Sequence, residues 1–205
     1  MPIQEKDQQV TAIILAGGLA RRMGGQKKAL LAFLNKPMIA YVVAMLESMG
    51  NGLQDILINT NDSVGYEKFG YALISDNLTG SLGPLAGIEA GLASIDDGYL
   101  LVLPCDAPLV SVDVMQRLID AVLLNEGKCA VAHDGERIQS TFAIFHKSQR
   151  DSLEVYLQGG GRRLINWYQD QAIVEVDCAD IKEVFSNINT QQDLDLTEAL
   201  FRDTV

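Results

Sequence analysis

The sequence predicts an α/β fold of three layers, in which a mostly parallel β-sheet is covered by helices on both faces. Short runs rich in Val, Ile and Leu alternate with segments that carry apolar side chains at helical spacing, and this alternation is typical of parallel sheets. The chain has 205 residues, of which 48% are hydrophobic, so it can build one compact domain around its own core.

The predicted elements of the first half follow one another in a regular order. The strands are short apolar runs, and they comprise residues 11–15, 56–59, 71–75 and 100–104. The helices comprise one that begins at Pro37 and stops at Gly50, a short one from Tyr66 to Phe69, residues 84–94, and Val112 to Leu124. Two of the strands lead into an acidic residue, Asp76 and Asp106. Because the carboxyl ends of parallel strands meet at one edge, both carboxylates are expected at one rim of the sheet.

The alternation changes beyond residue 128. The sequence CAVAHDGERIQSTFAIFH predicts two strands around the polar turn HDGER, and therefore a small antiparallel excursion in the C-terminal half. After it the sequence predicts a helix over residues 148–157, the turn GGGRR, a second helix through Trp167, a strand over residues 172–176 and a final helix. The antiparallel pair is a candidate lip for a substrate site.

The charge balance and the cysteines exclude several classes of protein. The chain carries 16 Lys and Arg against 27 Asp and Glu, a formal net charge of -11, which argues against nucleic acid as a partner. No apolar stretch approaches the roughly 20 residues that span a membrane, and the first residues lack the pattern of a signal peptide, so a cytoplasmic location and no membrane partner are expected. Three widely spaced cysteines, Cys105, Cys129 and Cys178, are expected to be reduced structural thiols.

The segment LAGGLARRMGGQKKAL, at residues 15–30, predicts a binding site for a small phosphate-bearing anion. Gly17 and Gly18 let the chain turn tightly after the first strand with backbone N–H groups exposed, and such groups bind anions. Arg21, Arg22 and Lys28 add cationic donors within an otherwise acidic protein. The segment emerges at the carboxyl end of the first strand, so it is expected to meet the two rim carboxylates.

These motifs together resemble the molybdenum cofactor guanylyltransferase family, commonly called MobA. The resemblance rests on LAGG followed by ARRMGG and a lysine, and then on PCDAP, HDGER, GGGRR and FSNINTQQDL in that order. It implies a Rossmann-like nucleotidyltransferase fold in one domain, with a nucleotide-binding half at residues 11–110 and a molybdopterin-binding half at residues 111–205. The family transfers GMP from GTP to the terminal phosphate of molybdopterin and releases pyrophosphate, with Mg²⁺ as cofactor and Mn²⁺ as a possible substitute.

The resemblance also implies roles for individual residues. Catalytic roles fall to Lys28, Asp106 and Arg22, and Asp106 would be the metal ligand. The implied nucleotide contacts are Leu15, Ala16, Gly17, Gly18, Lys28, Asn59, Asp76 and Asp106. The implied molybdopterin contacts are His133, Asp134, Arg137, Arg162, Arg163, Asn187 and Asn189. Transient contacts with molybdenum-insertion proteins and apo-molybdoenzymes are also expected.

Several of these residue types have a second interpretation. Asn59 and Asp76 also fit strand-end turns, HDGER fits a solvated hairpin turn, and the arginines after GGG fit a solvated helix start. In SNINT, Thr190 fits the N-cap of the final helix. Lys27 stands where the family usually has aspartate, and Ser140 stands where it often has proline, which would make the lip less rigid.

Other functions are compatible with parts of the pattern. A molybdopterin cytidylyltransferase would use CTP in the same fold, but its first loop typically contains LAAG where this chain has LAGG. A non-catalytic module that binds a nucleotide or cofactor would account for the departure at Lys27. A nicotinamide-dependent dehydrogenase is disfavoured because the first turn lacks G-x-G-x-x-G.

Overall fold

A seven-stranded sheet forms the centre of the protein in a computed structural model that describes residues 9–17, 19–20, 26–78, 80, 82–125 and 127–204. Its strands, in chain order, are β1 (Val10–Leu15), β2 (Asp55–Asn59), β3 (Ala72–Ile74), β4 (Tyr99–Pro104), β5 (Cys129–His133), β6 (Ile138–His146) and β7 (Val174–Asp177). Across the sheet they lie in the order β7-β5-β6-β4-β1-β2-β3.

The strand directions confirm the predicted sheet. Strand β1 pairs in parallel with β2 and β4, in a register that aligns Leu15 with Asn59 on one side and with Pro104 on the other. Strand β6 is antiparallel to both of its neighbours, β4 and β5, while β7 is again parallel to β5. The carboxyl ends of β1, β2 and β4 therefore share one rim, and β6 is the antiparallel excursion.

Helices cover both faces of the sheet, so the three predicted layers are present. The helices are α1 (Met38–Ser48), α2 (Pro84–Ser94), α3 (Val112–Leu124), α4 (Arg150–Gln158), α5 (Leu164–Tyr168) and α6 (Gln191–Thr204). Because successive strand residues point to opposite faces, Ile14 packs in the core under α1 and α3, and Ile13 packs in the core under α2, α4 and α5. None of the helices in the described residues is long and apolar enough to cross a membrane.

Two glycines bring α2 close to the strands that carry the rim. A Cβ atom on Gly87 would overlap the side chain of Asn59 and approach the Leu15 Cδ2 atom to 2.8 Å, and one on Gly91 would approach Ile13 Cδ1 to 2.8 Å. Real Cβ atoms do not come this close, so larger residues would push α2 away from the sheet. Gly87 and Gly91 are therefore required for α2 to pack this closely against the sheet.

Some predicted boundaries differ from the structure. Pro37 is not the first helical residue; it pairs with Ala32 in a short antiparallel ladder, and its extended ψ of 140° places the helix start at Met38. The predicted strand at residues 71–75 is shorter, at Ala72–Ile74, and the strand predicted from residue 172 begins at Val174. The predicted helix over residues 148–157 is split into a 3₁₀ turn and α4. Such shifts of one or two residues are usual at element ends.

The sequence did not predict two small strand pairs near the glycine-rich segment. Leu19–Ala20 pairs with Gln26–Lys27, and Ala32–Phe33 pairs with Lys36–Pro37. The second pair turns through Leu34 and Asn35, which both have positive φ, at 43° and 70°. Glycine or Asn-Gly is the usual signal for such a turn. Because neither occurs here, the sequence did not indicate the hairpin.

Thr190 is confirmed as the cap of the final helix. Its hydroxyl Oγ1 accepts a hydrogen bond from the Asp193 N–H at 3.1 Å, and the Asp193 carboxylate accepts from the N–H groups of Thr190 and Asn189 at 2.8 and 2.9 Å. This reciprocal arrangement is a capping box. The N–H of Asn189 and the bonds to Thr190 lower the pKa of the Asp193 carboxyl, and the Lys28 charge adds to the effect.

We expect Thr190→Ala to lower the free energy of unfolding by about 1 kcal/mol, because the cap is lost.

The pKa of Asp193 is lower in the folded protein than in the unfolded chain, so its stabilising effect is present at neutral pH and is lost as the pH falls below about 4. The free energies of unfolding in urea of the wild type and of Asp193→Asn, compared at pH 7 and at pH 3, measure this loss of stabilisation by Asp193. A difference between the two proteins that grows toward acid pH would contradict it.

Candidate active site

Lys28, Asp106 and Asn189 meet at the rim of the sheet. Lys28 begins a 3₁₀ turn after the strand Gln26–Lys27, and Asp106 lies two residues beyond the end of β4. The Lys28 ammonium forms an ion pair with the Asp106 carboxylate and donates to Asn189 Oδ1 at 2.6 Å. The side chains of Lys28 and Asp106 are only 12% and 13% exposed, so the pair is shielded from bulk water.

The segment before α6 is held against β4 by the backbone. The N–H of Ile188 donates to the carbonyl of Asp106 at 2.9 Å, which fixes the neighbouring Asn189 beside the ion pair. The capping box holds Asn189 from the other side, through its own N–H. Three distant parts of the sequence therefore place one cation, one carboxylate and one amide together.

A second polar group lies at the carboxyl ends of β2 and β3. Asn59 is buried, with 4% exposure, and its Nδ2 donates to Asp76 Oδ1 at 3.0 Å. Asn61 Nδ2 donates to the other Asp76 oxygen at 2.8 Å, and Asn61 Oδ1 accepts from the Asp76 N–H at 2.9 Å. The structure brings Asn59 and Asp76 together as predicted. The sequence analysis missed Asn61, although the polar run after β2 was an available signal.

The start of the glycine-rich segment lies between these two groups. Leu15 ends β1, and the buried Ala16 donates its N–H to the carbonyl of Asn59 at 2.9 Å. Gly17 is exposed, has no positive φ, and a Cβ placed on it would meet no atom of the described residues within 4 Å. No contact with the described part of the chain therefore requires glycine at position 17. Gly18, Arg21 and Arg22 lie outside the described residues, and their predicted roles stay predictions.

Lys27 points away from this site. Its ammonium forms an ion pair with Asp62 at 2.7 Å and donates to the carbonyl of Val64 at 2.6 Å. It also lies 5.5 Å from the centroid of the Tyr66 ring. Of the two adjacent lysines, Lys28 is the one that faces Asp106.

A polar cavity of about 260 Å³ adjoins Asn189 on the side of the β5–β6 hairpin. It is lined by Asp134, Arg137, Gln139, Lys182, Phe185, Ser186, Asn187 and Asn189. The Asn187 Oδ1 atom is buried without a hydrogen-bond partner, an arrangement that costs free energy unless a ligand donates to it. Lys182 and Gln139 were missed by the sequence analysis, because neither belongs to a recognisable motif.

Asp134 gives the cavity a fixed negative charge. Burial opposes ionisation of this carboxyl, but the N–H groups of Arg137 and Glu136 outweigh that effect and hold its pKa below the ordinary value. The same carboxylate accepts from the side-chain amide of Gln139. Within the described chain, the HDGER turn is thus an ordered wall of the cavity.

Three predicted contacts do not line this cavity. The His133 Nδ1 atom accepts from the N–H of Gly135 at 3.0 Å, which closes the hairpin turn. Arg162 turns back on its own loop and donates to the carbonyls of Leu157 and Gly161 at 3.1 and 2.6 Å. Arg163 is exposed immediately before α5. No observation tests their predicted contacts with molybdopterin, which stay predictions.

The thiols near the site are buried. Cys105, Cys129 and Cys178 are all free and buried, as expected for structural cysteines. Burial raises the pKa of the Cys105 thiol, and the adjacent Asp106 charge raises it further. Cys105 therefore stays protonated and is a poor nucleophile, despite its place next to the carboxylate.

Comparison with known proteins identifies the family. Residues 12–173 match the model of the MobA-like NTP transferase domain, which is more than half of the chain. The chain belongs to the MobA-like NTP transferase family. A relative from Shewanella pealeana, named molybdenum cofactor guanylyltransferase, is 39% identical over 94% of this chain and 96% of its own length. The resemblance found in the sequence motifs is thereby confirmed.

Solved structures place this MobA-like chain in the same fold. The molybdopterin-guanine dinucleotide biosynthesis protein A from Archaeoglobus fulgidus superposes with a TM-score of 0.78 at 22% identity, covering 94% of this chain and 99% of that protein. A 2-C-methyl-D-erythritol 4-phosphate cytidylyltransferase from Thermus thermophilus superposes with a TM-score of 0.68 at 18% identity, covering 93% and 98%. The nucleotidyltransferase fold is thereby confirmed.

Proposed function

We propose that the chain transfers GMP from GTP to the terminal phosphate of molybdopterin and releases pyrophosphate. The observation that carries the proposal is the position of the Lys28, Asp106 and Asn189 cluster. It lies at the end of the glycine-rich segment on one side and beside the polar cavity on the other. A nucleotide on the segment and an acceptor in the cavity would approach each other at this cluster. The names of the family relatives support the same reaction.

Charge is the main obstacle to this reaction, because an anionic phosphate must approach another anionic phosphate. Lys28 would bind phosphate oxygens through its ammonium and offset part of their charge. The cluster also fixes positions, since Asn189 and Asp106 are held by the backbone bond at Ile188. The acceptor phosphate is already ionised at neutral pH, so no side chain has to remove a proton from it.

The donor set fits a magnesium ion held by one carboxylate together with substrate oxygens. Among the described residues there is no group of three acidic, His or Cys side chains that could hold a metal by itself. Mg²⁺ commonly binds through one or two carboxylates and completes its shell with phosphates and water. Asp106 would hold the ion, and Mn²⁺ has compatible chemistry. When bound, the ion would neutralise charge on the phosphate oxygens.

The polar cavity is the proposed site of molybdopterin. Its fixed acceptors, Asp134 and the unpartnered Asn187 Oδ1, suit the N–H groups of a polar bicyclic ring. Its cationic side chains, Arg137 and Lys182, suit a phosphate. The hairpin that carries HDGER then forms one wall of the second substrate site.

The rim of Asn59, Asn61 and Asp76 is the proposed site for the base and ribose of GTP. Both oxygens of Asp76 are oriented by amide donors, so the carboxylate presents fixed acceptors. A position for guanosine near Gly17 is consistent with the space there, since no described atom lies within 4 Å of a Cβ placed on that residue. The same proposal includes a location in the cytoplasm. It also includes transient contacts with molybdenum-insertion proteins and apo-molybdoenzymes, for which the net charge of -11 would favour basic partner surfaces.

The test is a reaction of purified protein with molybdopterin, Mg²⁺ and a single nucleoside triphosphate labelled at the α-phosphate. We expect label from GTP to appear in a dinucleotide, with one pyrophosphate released for each product formed. EDTA should stop the reaction, and added Mg²⁺ should restore it. GTP binding without pyrophosphate release would instead support the non-catalytic module, and exclusive use of CTP would support the cytidylyltransferase.

A further inference from the structure

One segment of the chain contacts both ends of the glycine-rich segment. Residues 60–66, here called the anchor segment, follow directly after β2. At the entry side, the Tyr66 hydroxyl donates to the carbonyl of Ala16 at 3.1 Å. At the exit side, the Lys27 ammonium forms an ion pair with Asp62 and donates a hydrogen bond to the Val64 carbonyl, both in the anchor segment. The two ends of the phosphate-binding segment are thereby tied to a single support.

The hydrogen-bonding capacity of Lys27 is fully used by the anchor segment. An ammonium has three donors, and its acceptors here are the Asp62 carboxylate at 2.7 Å, the Val64 carbonyl at 2.6 Å and the Asp62 carbonyl at 3.3 Å. The Lys27 side chain is 22% exposed. Donation from Lys27 also lowers the pKa of the Asp62 carboxyl, so this acceptor is ionised at neutral pH. No donor of Lys27 is left for a phosphate.

The anchor segment is ordered by its own contacts. Asp62 Oδ1 accepts from the Val64 N–H at 3.1 Å, and the Thr60 hydroxyl donates to the Asp62 carbonyl at 3.0 Å. Gly65 has a φ of 90°, and a Cβ on it would approach Leu30 Cδ1 to 2.8 Å. Burial raises the pKa of the Tyr66 phenol to about 12, so its hydroxyl stays protonated and able to donate. Lys27 therefore binds a preformed acceptor site.

We infer that Lys27 is a positioning residue, which fixes the exit of the glycine-rich segment through Asp62 and Val64 and so holds Lys28 toward Asp106. Lys27 is the last residue before the 3₁₀ turn that begins at Lys28, so anchoring its side chain fixes the backbone from which Lys28 reaches Asp106. A segment that is already held costs less to order when it binds a ligand. The effect on GTP rests on the proposed function, whereas the effect on the segment itself does not.

Proteolysis of the ligand-free protein tests the anchor independently of catalysis. An arginine-specific protease cleaves at Arg21 and Arg22, within the glycine-rich segment, and Lys27 is not a site for it. We expect Lys27→Met to raise the initial rate of this cleavage by about fivefold or more, because release of the exit permits local opening. Asp62→Asn should raise it in the same direction, because it removes the carboxylate that Lys27 binds. The matched control is Lys68→Met, which removes another lysine close to the anchor segment.

Kinetics then separate positioning from direct contact with phosphate. We expect Lys27→Met to raise the KM for GTP by about tenfold, with kcat and the KM for molybdopterin within about twofold of wild type. The double variant with Asp62→Asn should be no worse than Lys27→Met alone, because the two residues act through one contact. If Lys27 bound phosphate directly, Asp62→Asn would leave the KM for GTP unchanged or lower it.

The possible failures are distinguishable. Equal cleavage of Lys27→Met, Lys68→Met and the wild type would overturn the anchor, whatever the kinetics. A wild-type protein that forms no guanine dinucleotide would overturn the proposed function, and the cleavage rates would still decide the role of Lys27.

Discussion

Asp106→Asn is expected to lower the rate of GMP transfer by about 1000-fold or more, and Lys28→Met is expected to lower it by nearly as much. The carboxylate is the proposed metal ligand, and the lysine is the described cation that faces it across the shielded rim. The adjacent Lys27 cannot replace the Lys28 charge, since it is committed to Asp62 and Val64. Initial rates of dinucleotide formation at saturating GTP, molybdopterin and Mg²⁺ measure the effect.

Two matched variants control for the loss of one charge. Asp96→Asn removes an exposed carboxylate at the opposite end of the sheet, and Lys68→Met removes an exposed ammonium. Both should keep wild-type rates. Because Lys28 and Asp106 act at one centre, the double variant should be much less impaired than the product of the two single effects. Wild-type turnover by both folded single variants, as judged by thermal unfolding, would remove these residues from the reaction.

Gly17→Ala is expected to shift the choice of nucleotide without harming the fold. The added methyl group meets no atom within 4 Å in the part of the chain that the structure describes, and residue 17 has no positive φ, so the stability of the protein should be nearly unchanged. The methyl group would occupy space that the proposed guanosine site uses. We expect the ratio of kcat/KM for GTP to that for CTP to fall by about tenfold or more.

A competition assay measures that ratio directly. Equal concentrations of GTP and CTP in one reaction give two dinucleotides, which are separated and quantified for the wild type and for Gly17→Ala. The control is Gly52→Ala, at another glycine without a positive φ, where an added Cβ would make only an ordinary contact with Met49 Cβ at 4.0 Å, away from the proposed site. An unchanged product ratio in a stable Gly17→Ala protein would assign the choice of base to other residues.

The central strands could be predicted because they are buried on both faces. Strands β1 and β4 are almost entirely apolar, and burial of both faces demands that composition. The Ala32–Pro37 hairpin could not be predicted, because its turn uses Leu34 and Asn35 in a backbone conformation that usually requires glycine. Tertiary packing stabilises it: Phe33 is buried against Ile188 and Leu194 of the C-terminal segment.

The site was predictable where a motif marked it and not elsewhere. Lys28 and Asp106 belong to recognisable segments, and the topology alone brings them to one rim. Lys182 carries no local signature, and Asn61 is marked only by the polar run after β2, because both roles depend on neighbours that are distant in the sequence. The side chain of Arg162 was unpredictable for the opposite reason: its local motif favours phosphate, but its own loop already supplies acceptors.

The ion pair between Lys28 and Asp106 has a consequence for the order of ligand binding. In the free protein each charge neutralises the other at a site with little exposure to water. A nucleotide that binds Lys28 without a cation leaves Asp106 uncompensated, and a cation that binds Asp106 alone leaves Lys28 uncompensated, which is costly in both cases. When both bind together, the Lys28–Asp106 ion pair is replaced by two compensated pairs, Lys28 with the nucleotide and Asp106 with the cation. Nucleotide and metal ion are therefore expected to bind with positive cooperativity, each raising the affinity of the protein for the other by the same factor.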